Sequence, residues 1–230
     1  MCYHDFMKTK NLIISKFKNG FTLAEVLITL VIVGVIAALT IPTAINNTKE
    51  QELKSQFAKS YSTISQALYK TEMNDFYGYA QCYYGKNGLS HNTAECGSFF
   101  SAFAKNLQVQ KSCLQRNGKE GGCVPTYQSY AQSDGGCEGF SQSRIDSWDN
   151  VFVLADGQII ITYNVNAMPV FLMDINGHKG PNAYGKDLFS FMIERTPDSG
   201  LFTNSSTCGF TVKGGKSTEE MIKYSLAGKK

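Results

Sequence analysis

From Phe21 to Ile41 the chain runs for 21 residues in which Glu25 is the one charged side chain. As a helix rising about 1.5 Å per residue, this stretch spans roughly 31 Å, the thickness of a bilayer's hydrocarbon core. A carboxylate at that depth costs on the order of 2.5 to 3.5 kcal/mol, so such a residue is usually paired and functional. Lys8, Lys10, Lys16 and Lys18 precede the run against a single Asp5. The positive-inside rule then keeps residues 1–20 in the cytoplasm and sends everything after Ile41 outward.

The segment Lys18-Asn19-Gly20-Phe21-Thr22-Leu23-Ala24-Glu25 resembles the class III signal of type IV pilins and type II secretion pseudopilins. The resemblance covers about residues 15–45 and includes Gly34 and Pro42. It implies that a prepilin peptidase cuts after Gly20 and methylates the new N-terminal Phe21. The freed α-amine, with a reference pKa of about 7.7–8.0, is largely cationic at neutral pH. Glu25 of one subunit then neutralises the Phe21 amine of the next as both leave the lipid. The partners implied are further copies of this chain, other pilins or pseudopilins, a cytoplasmic assembly ATPase and a polytopic platform protein. The implied location is the bacterial inner membrane, crossed once, with a filament in the periplasm or at the cell surface. An ordinary secretory signal or simple anchor, with Glu25 snorkelling to the interface, is the plainer alternative. It is disfavoured because no small-x-small cleavage site follows the apolar stretch.

Removal of residues 1–20 has two consequences. It deletes Cys2 and leaves Cys82, Cys96, Cys113, Cys123, Cys137 and Cys208, an even number in a compartment where disulfides form, with 15 connectivities open. No Cys-x-x-Cys pair occurs, and His91 and His178 are not close in sequence to a cysteine, which argues for structural disulfides over a zinc cluster. The leader also holds four of the 22 basic and one of the 19 acidic residues, which leaves 18 of each. A neutral mature chain without a dense Lys/Arg run gives no electrostatic case for a nucleic-acid partner.

The expected fold is α+β and pilin-like. After the leader (1–20) and the membrane or filament-core helix (21–41), Leu53, Phe57, Tyr61, Ile64 and Leu68 recur at helical spacing, so an amphipathic continuation is expected over 42–77. Pro42 removes a backbone donor and is expected to kink the helix. Val151–Ala155 and Gln158–Asn164 flank Asp156-Gly157, a hairpin signal, and Pro169–Ile175 and Leu188–Ile193 add two more β-rich runs. These predict an antiparallel sheet of about four strands within 151–212, packed on the amphipathic half-helix. Between helix and sheet lies a Cys-rich insertion, 78–150, with a short helix around Phe99–Leu107 and loops that need stapling because they bury little. Its tyrosines, Tyr127 among them, read as aromatic packing more readily than as an adhesive surface. In the tail, 213–230, Ser217 and Glu220 form a capping-box pattern opening a helix over Thr218–Leu226.

Asp174, Asn176, Asn182 and Asp187 could present oxygen ligands to Ca²⁺ from a Gly-rich turn. The segment begins like an EF-hand loop, yet its twelfth position is Gly185 instead of Glu, and a plain Asx/Gly turn is the favoured reading. Some secretion pseudopilins carry a calcium loop in this part of the sheet, which keeps the metal reading alive; no cofactor is required otherwise. Gly214-Gly215-Lys216-Ser217 looks like the end of a P-loop, but Gly209 stands one residue too far upstream. No nucleophile–base signature is present. The expectation is a non-enzymatic filament subunit for type II secretion or a type IV pilus. An adhesive or DNA-uptake minor pilin is the alternative, and a membrane-tethered enzyme the third class.

Overall fold

The computed structural model describes residues 20–74, 93–114, 117–128, 142–147, 150–162, 170–193, 203–204 and 211–226. Two compact units form, Met1–Asn47 and Thr48–Lys230, and helix α1 (Leu23–Asn74) contributes to both. The remaining helices are α2 (Thr93–Lys105), α3 (Gln142–Ser147) and α4 (Thr218–Leu226). Tyr77, the expected helix end, lies outside the described residues.

In the first unit α1 is apolar on every side. Phe21 is 88% exposed and Leu39 73%, and the helix is long and apolar enough to cross a membrane. An apolar surface of this extent marks contact with lipid or with other helices. Pro42 lies inside α1, which continues past it. The proline ring leaves the Ala38 carbonyl without its N–H donor. On either side, Thr40 Oγ1 donates to the Ile36 carbonyl at 2.9 Å and Thr43 Oγ1 to the Leu39 carbonyl at 3.5 Å. Proline together with threonine back-bonding is the local chemistry that bends helices.

The second unit is built on a six-stranded antiparallel sheet whose spatial order follows the chain. Its strands are β1 (Val109–Cys113), β2 (Asn150–Leu154), β3 (Ile159–Thr162), β4 (Val170–Asp174), β5 (Leu188–Met192) and the two-residue β6 (Thr203–Asn204). The four strands expected from sequence are β2 to β5. Two more flank them, and β1 comes from the segment read as an insertion. Three of its five residues are exposed, so it carries no alternation of apolar and polar positions to betray a strand.

Both faces of the sheet are covered. Phe152, Leu154, Ile160, Phe171, Met173, Phe189 and Phe191 form one core with Phe57, Ile64 and Leu68 of α1 and Phe99, Phe100 and Phe103 of α2. Phe57 meets Phe189 edge-on at 4.9 Å, and Phe171 stacks on Phe191 at 5.5 Å, geometries favoured by the ring quadrupoles. On the opposite face Val151, Ile159, Ile161, Val170 and Leu172 pack with Cys113, Cys123, Tyr127 and Ile145. A strand buried on two sides reads as a continuous apolar run. The insertion therefore supplies core to both faces, correcting the expectation that its loops bury little. Its helix begins at Thr93, ahead of the Phe99 start that the sequence suggested.

At the β2–β3 hairpin the Leu154 N–H donates to Gln158 O at 2.8 Å and the Gly157 N–H to Leu154 O at 2.9 Å, with Gly157 at φ 87°. Lys59 of α1 reaches Asp156 of this turn at 2.8 Å.

Candidate functional site

Two places carry the chemistry singled out in the sequence. The first is the start of α1. The Thr22 N–H donates to Glu25 Oε2 at 2.8 Å, Thr22 Oγ1 donates to the same oxygen at 2.9 Å, and the Glu25 N–H donates to Thr22 Oγ1 at 3.2 Å. This reciprocal pair is a capping box: two of the orphan N–H groups at a helix mouth are satisfied, and the carboxylate sits at the positive end of the helix dipole. Both bonds made by the carboxylate fall on Oε2. Thr22-x-x-Glu25 ahead of an apolar run fits the capping-box pattern, a signal in the sequence that the charge-pairing reading of Glu25 passed over. Gly20 and Phe21 are exposed, and a side chain added at Gly20 would meet nothing within 4 Å. The protein's own packing thus imposes no demand for glycine there.

The second place is the connection from β4 to β5. Asp174, fully buried, accepts the Asn176 N–H at 3.2 Å and the Gly177 N–H at 2.8 Å on Oδ1, and the Tyr127 hydroxyl at 3.1 Å on Oδ2. Asp187, also buried, accepts the Asn182 N–H at 2.6 Å and the Ala183 N–H at 2.7 Å. The Ile175 N–H donates to the Asp187 carbonyl at 2.9 Å and closes the loop's base. Gly177, at φ 65°, lies so near the Gly157 carbonyl that no side chain fits. Burial pushes the Asp174 carboxyl well above the ordinary aspartate range, the charge of Asp187 adds to it, and the backbone donors oppose it. Burial also raises Asp187, again against its backbone donors. Tyr127 is held well above its ordinary value by burial first and by Asp174 second.

The structure thus brings Asp174, Asn176, Asn182 and Asp187 into one loop, with Asn182 acting on Asp187 through its backbone N–H. Every carboxylate oxygen of the two aspartates already accepts from N–H or O–H donors. Among the described residues no three His, Cys, Asp or Glu side chains gather where a metal ion could be held. The two aspartates form a hydrogen-bonded Asx clamp that closes the loop.

Of the six cysteines expected to pair, Cys113 and Cys123 form a disulfide; both are buried on the second face of the sheet. The Cys96 side chain and residues Cys82, Cys137 and Cys208 lie outside the described residues. Tyr127 is core, as the packing reading held. In the tail, the Ser217 N–H donates to Glu220 Oε2 at 2.7 Å and the Glu220 N–H to Ser217 Oγ at 3.1 Å, the capping box read from the sequence at the head of α4.

The family model described as the prokaryotic N-terminal methylation motif matches residues 15–41. That motif is the signature of type IV pilins and pseudopilins and supports a type IV pilin-like or pseudopilin protein. The motif implies processing by prepilin peptidase and assembly with other pilins. Together with the apolar helix it fits an inner-membrane-anchored, single-pass protein. Comparison with curated proteins and with solved structures gives no match.

Proposed function

We propose that this chain is a structural filament subunit of the type II secretion or type IV pilus kind, acting by assembly and not by catalysis. Prepilin peptidase cuts between Gly20 and Phe21 and methylates Phe21. The Phe21–Ile41 helix holds the subunit in the inner membrane until a cytoplasmic ATPase and a platform protein lift it into a helical fibre. The surface that faces lipid in the monomer then faces other helices in the polymer. Glu25 neutralises the neighbour's Phe21 amine. The observation that carries the proposal is an apolar helix exposed on all sides with one carboxylate fixed at its mouth. Thr22 binds Oε2 and leaves Oε1 for an external cation. The second unit requires no metal in this reading, because the Asp174–Asp187 loop is closed by its own hydrogen bonds.

The test is the N-terminus and the product. Intact mass and terminal sequencing of membrane-extracted protein should give a chain beginning at N-methylated Phe21, and electron microscopy of cells with the cognate machinery should show filaments containing it. A mature chain with another start sinks the proposal. Gly20→Ala should slow cleavage while leaving the fold untouched, since the added methyl group meets nothing.

A further inference from the structure

Strand β5 lies beside the end of the sheet, and a further strand covers it over two residues, where β6 pairs with Phe191 and Met192. In an antiparallel strand the backbone groups that point to one side belong to alternate residues. On the side away from β4 these are Leu188, Ser190 and Met192. The β4–β5 loop serves the first: the Leu188 N–H donates to Ala183 O at 3.3 Å, and the Gly185 N–H donates to Leu188 O at 2.9 Å. Met192 faces β6. Between them, Ser190 O accepts from Thr218 Oγ1 of the C-terminal tail at 2.8 Å. At Ser190 the edge is closed by the tail, not by a strand.

The tail reaches that point over a narrow crossing. The Val212 N–H donates to Tyr184 O at 3.0 Å and the Lys216 N–H to Gly185 O at 2.7 Å. A methyl group at Gly215 would stand 2.9 Å from the Tyr184 carbonyl oxygen and 3.2 Å from the Gly185 carbonyl carbon, so the two backbones meet with no room for a side chain. Beyond the crossing the attachment is thin. In α4 the buried residues are Thr218, Met221 and Ser225, and the Ser225 hydroxyl has no hydrogen-bond partner among the described residues, which weakens the contact. Lys216 and Glu50 pair at 3.0 Å but are 39% and 50% exposed, and such pairs are worth little. The strands beneath, by contrast, hold Phe171, Phe189 and Phe191 fully buried or nearly so.

We infer that residues 211–226 form a strap that guards the edge of β5 and opens as a unit of its own while the sheet stays folded. Few buried apolar groups and solvent-exposed attachments are the marks of a segment that opens locally. With the strap away, Ser190 presents its carbonyl outward, and an open strand edge is a template for pairing with another chain. Closed, the strap keeps two copies from joining edge to edge. The inference concerns the second unit alone and is independent of the filament reading.

Hydrogen exchange read by mass spectrometry on the full chain in detergent micelles tests this, first on the parent. Amides of 212–226 should exchange at least tenfold faster than those of β3 and β4. Gly215→Ala, which crowds the crossing, should speed the tail about tenfold further and leave β3 and β4 at parent rates. Lys213→Ala, at an exposed position of the same strap, should change neither. By light scattering, Gly215→Ala should associate at concentrations where the parent in the same micelles does not. A single exchange rate for α4 and β3 in the parent, or an equal acceleration of both by Gly215→Ala, would overturn the strap as a separate unit. Faster exchange in the Gly215→Ala tail without added association would overturn its guarding of the edge.

Discussion

Thr22 and Glu25 close a ring of three hydrogen bonds at the mouth of α1, in which the Glu25 carboxylate accepts through Oε2 alone. The carboxylate is therefore positioned before any neighbour arrives. On the proposed reading, a charge held by its own helix need not be ordered again when subunits meet, and Oε1 is the oxygen left for the incoming amine.

That arrangement separates two substitutions. Glu25→Val removes a carboxylate that is costly in lipid, so insertion and processing should proceed at least as well as in the parent. Filaments should be missing, with processed subunit accumulating in the inner membrane. Thr22→Val keeps the charge and loses its positioning, so filament yield should fall but stay above that of Glu25→Val. Membrane fractionation with electron microscopy reads both outcomes, and normal filaments from Glu25→Val would reduce Glu25 to a tolerated interfacial charge.

Cys113 and Cys123 lie ten residues apart and their disulfide is buried against the sheet. Closing a loop of this length stabilises a fold by about 2.5–3 kcal/mol in the chain-entropy account. The double variant Cys113→Ser/Cys123→Ser should melt roughly 5–12 °C lower, at about 2–4 °C per kcal/mol for a protein of this size. Thiol titration of the unfolded, unreduced mature chain should find almost no free sulfhydryl, in keeping with all six cysteines pairing. Two or more reactive thiols would contradict it.

How far the sequence reached follows from which surfaces are buried. The Leu53–Leu68 stripe was legible because one face of α1 meets the sheet, and periodicity reports one-sided burial. Strands β2 to β5 were found by composition and by the Asp156-Gly157 turn, but their register was not. With Val151 and Phe152 facing opposite cores, no alternation was left to read. Strand β1 was missed for the reverse reason: Gln110, Lys111 and Ser112 are exposed, and only pairing with β2 makes them a strand. The partner of Cys113 could not be chosen because spacing alone leaves every connectivity open. The Thr22–Glu25 box was written in the sequence as plainly as that of Ser217 and Glu220, yet the membrane setting drew attention to the charge and away from the cap.

The Asp174–Asp187 loop should be indifferent to calcium. Its carboxylates are taken up by the N–H groups of Asn176, Gly177, Asn182 and Ala183 and the hydroxyl of Tyr127. A ligand that binds the native state raises stability by mass action. Millimolar calcium or excess chelator should leave the melting temperature of the metal-free protein unchanged. A concentration-dependent rise with calcium and none with magnesium would show that the loop opens to take the ion.

The same loop should make stability depend on pH in an unusual direction. Burial raises the carboxyls of Asp174 and Asp187 above the ordinary aspartate range, whereas in the unfolded chain they titrate near 3.9. Between those limits the folded protein binds more protons than the unfolded one. Their contribution is thus fully present below about pH 4 and is lost as pH rises through the folded-state values. Glu50 works the other way: its hydrogen bond with Lys216 lowers it, and its contribution disappears as pH falls, but an exposed pair of this kind is worth little. Asp174→Asn isolates the effect. Its amide oxygen can keep the N–H bonds of Asn176 and Gly177, its amide nitrogen can donate to Tyr127, and it has no proton to lose. Relative to the parent, the variant should gain in melting temperature steadily from pH 4 to pH 8.5 and be the more stable protein at the alkaline end. Melting curves that stay parallel across that range would show that Asp174 is ionised in the folded protein throughout.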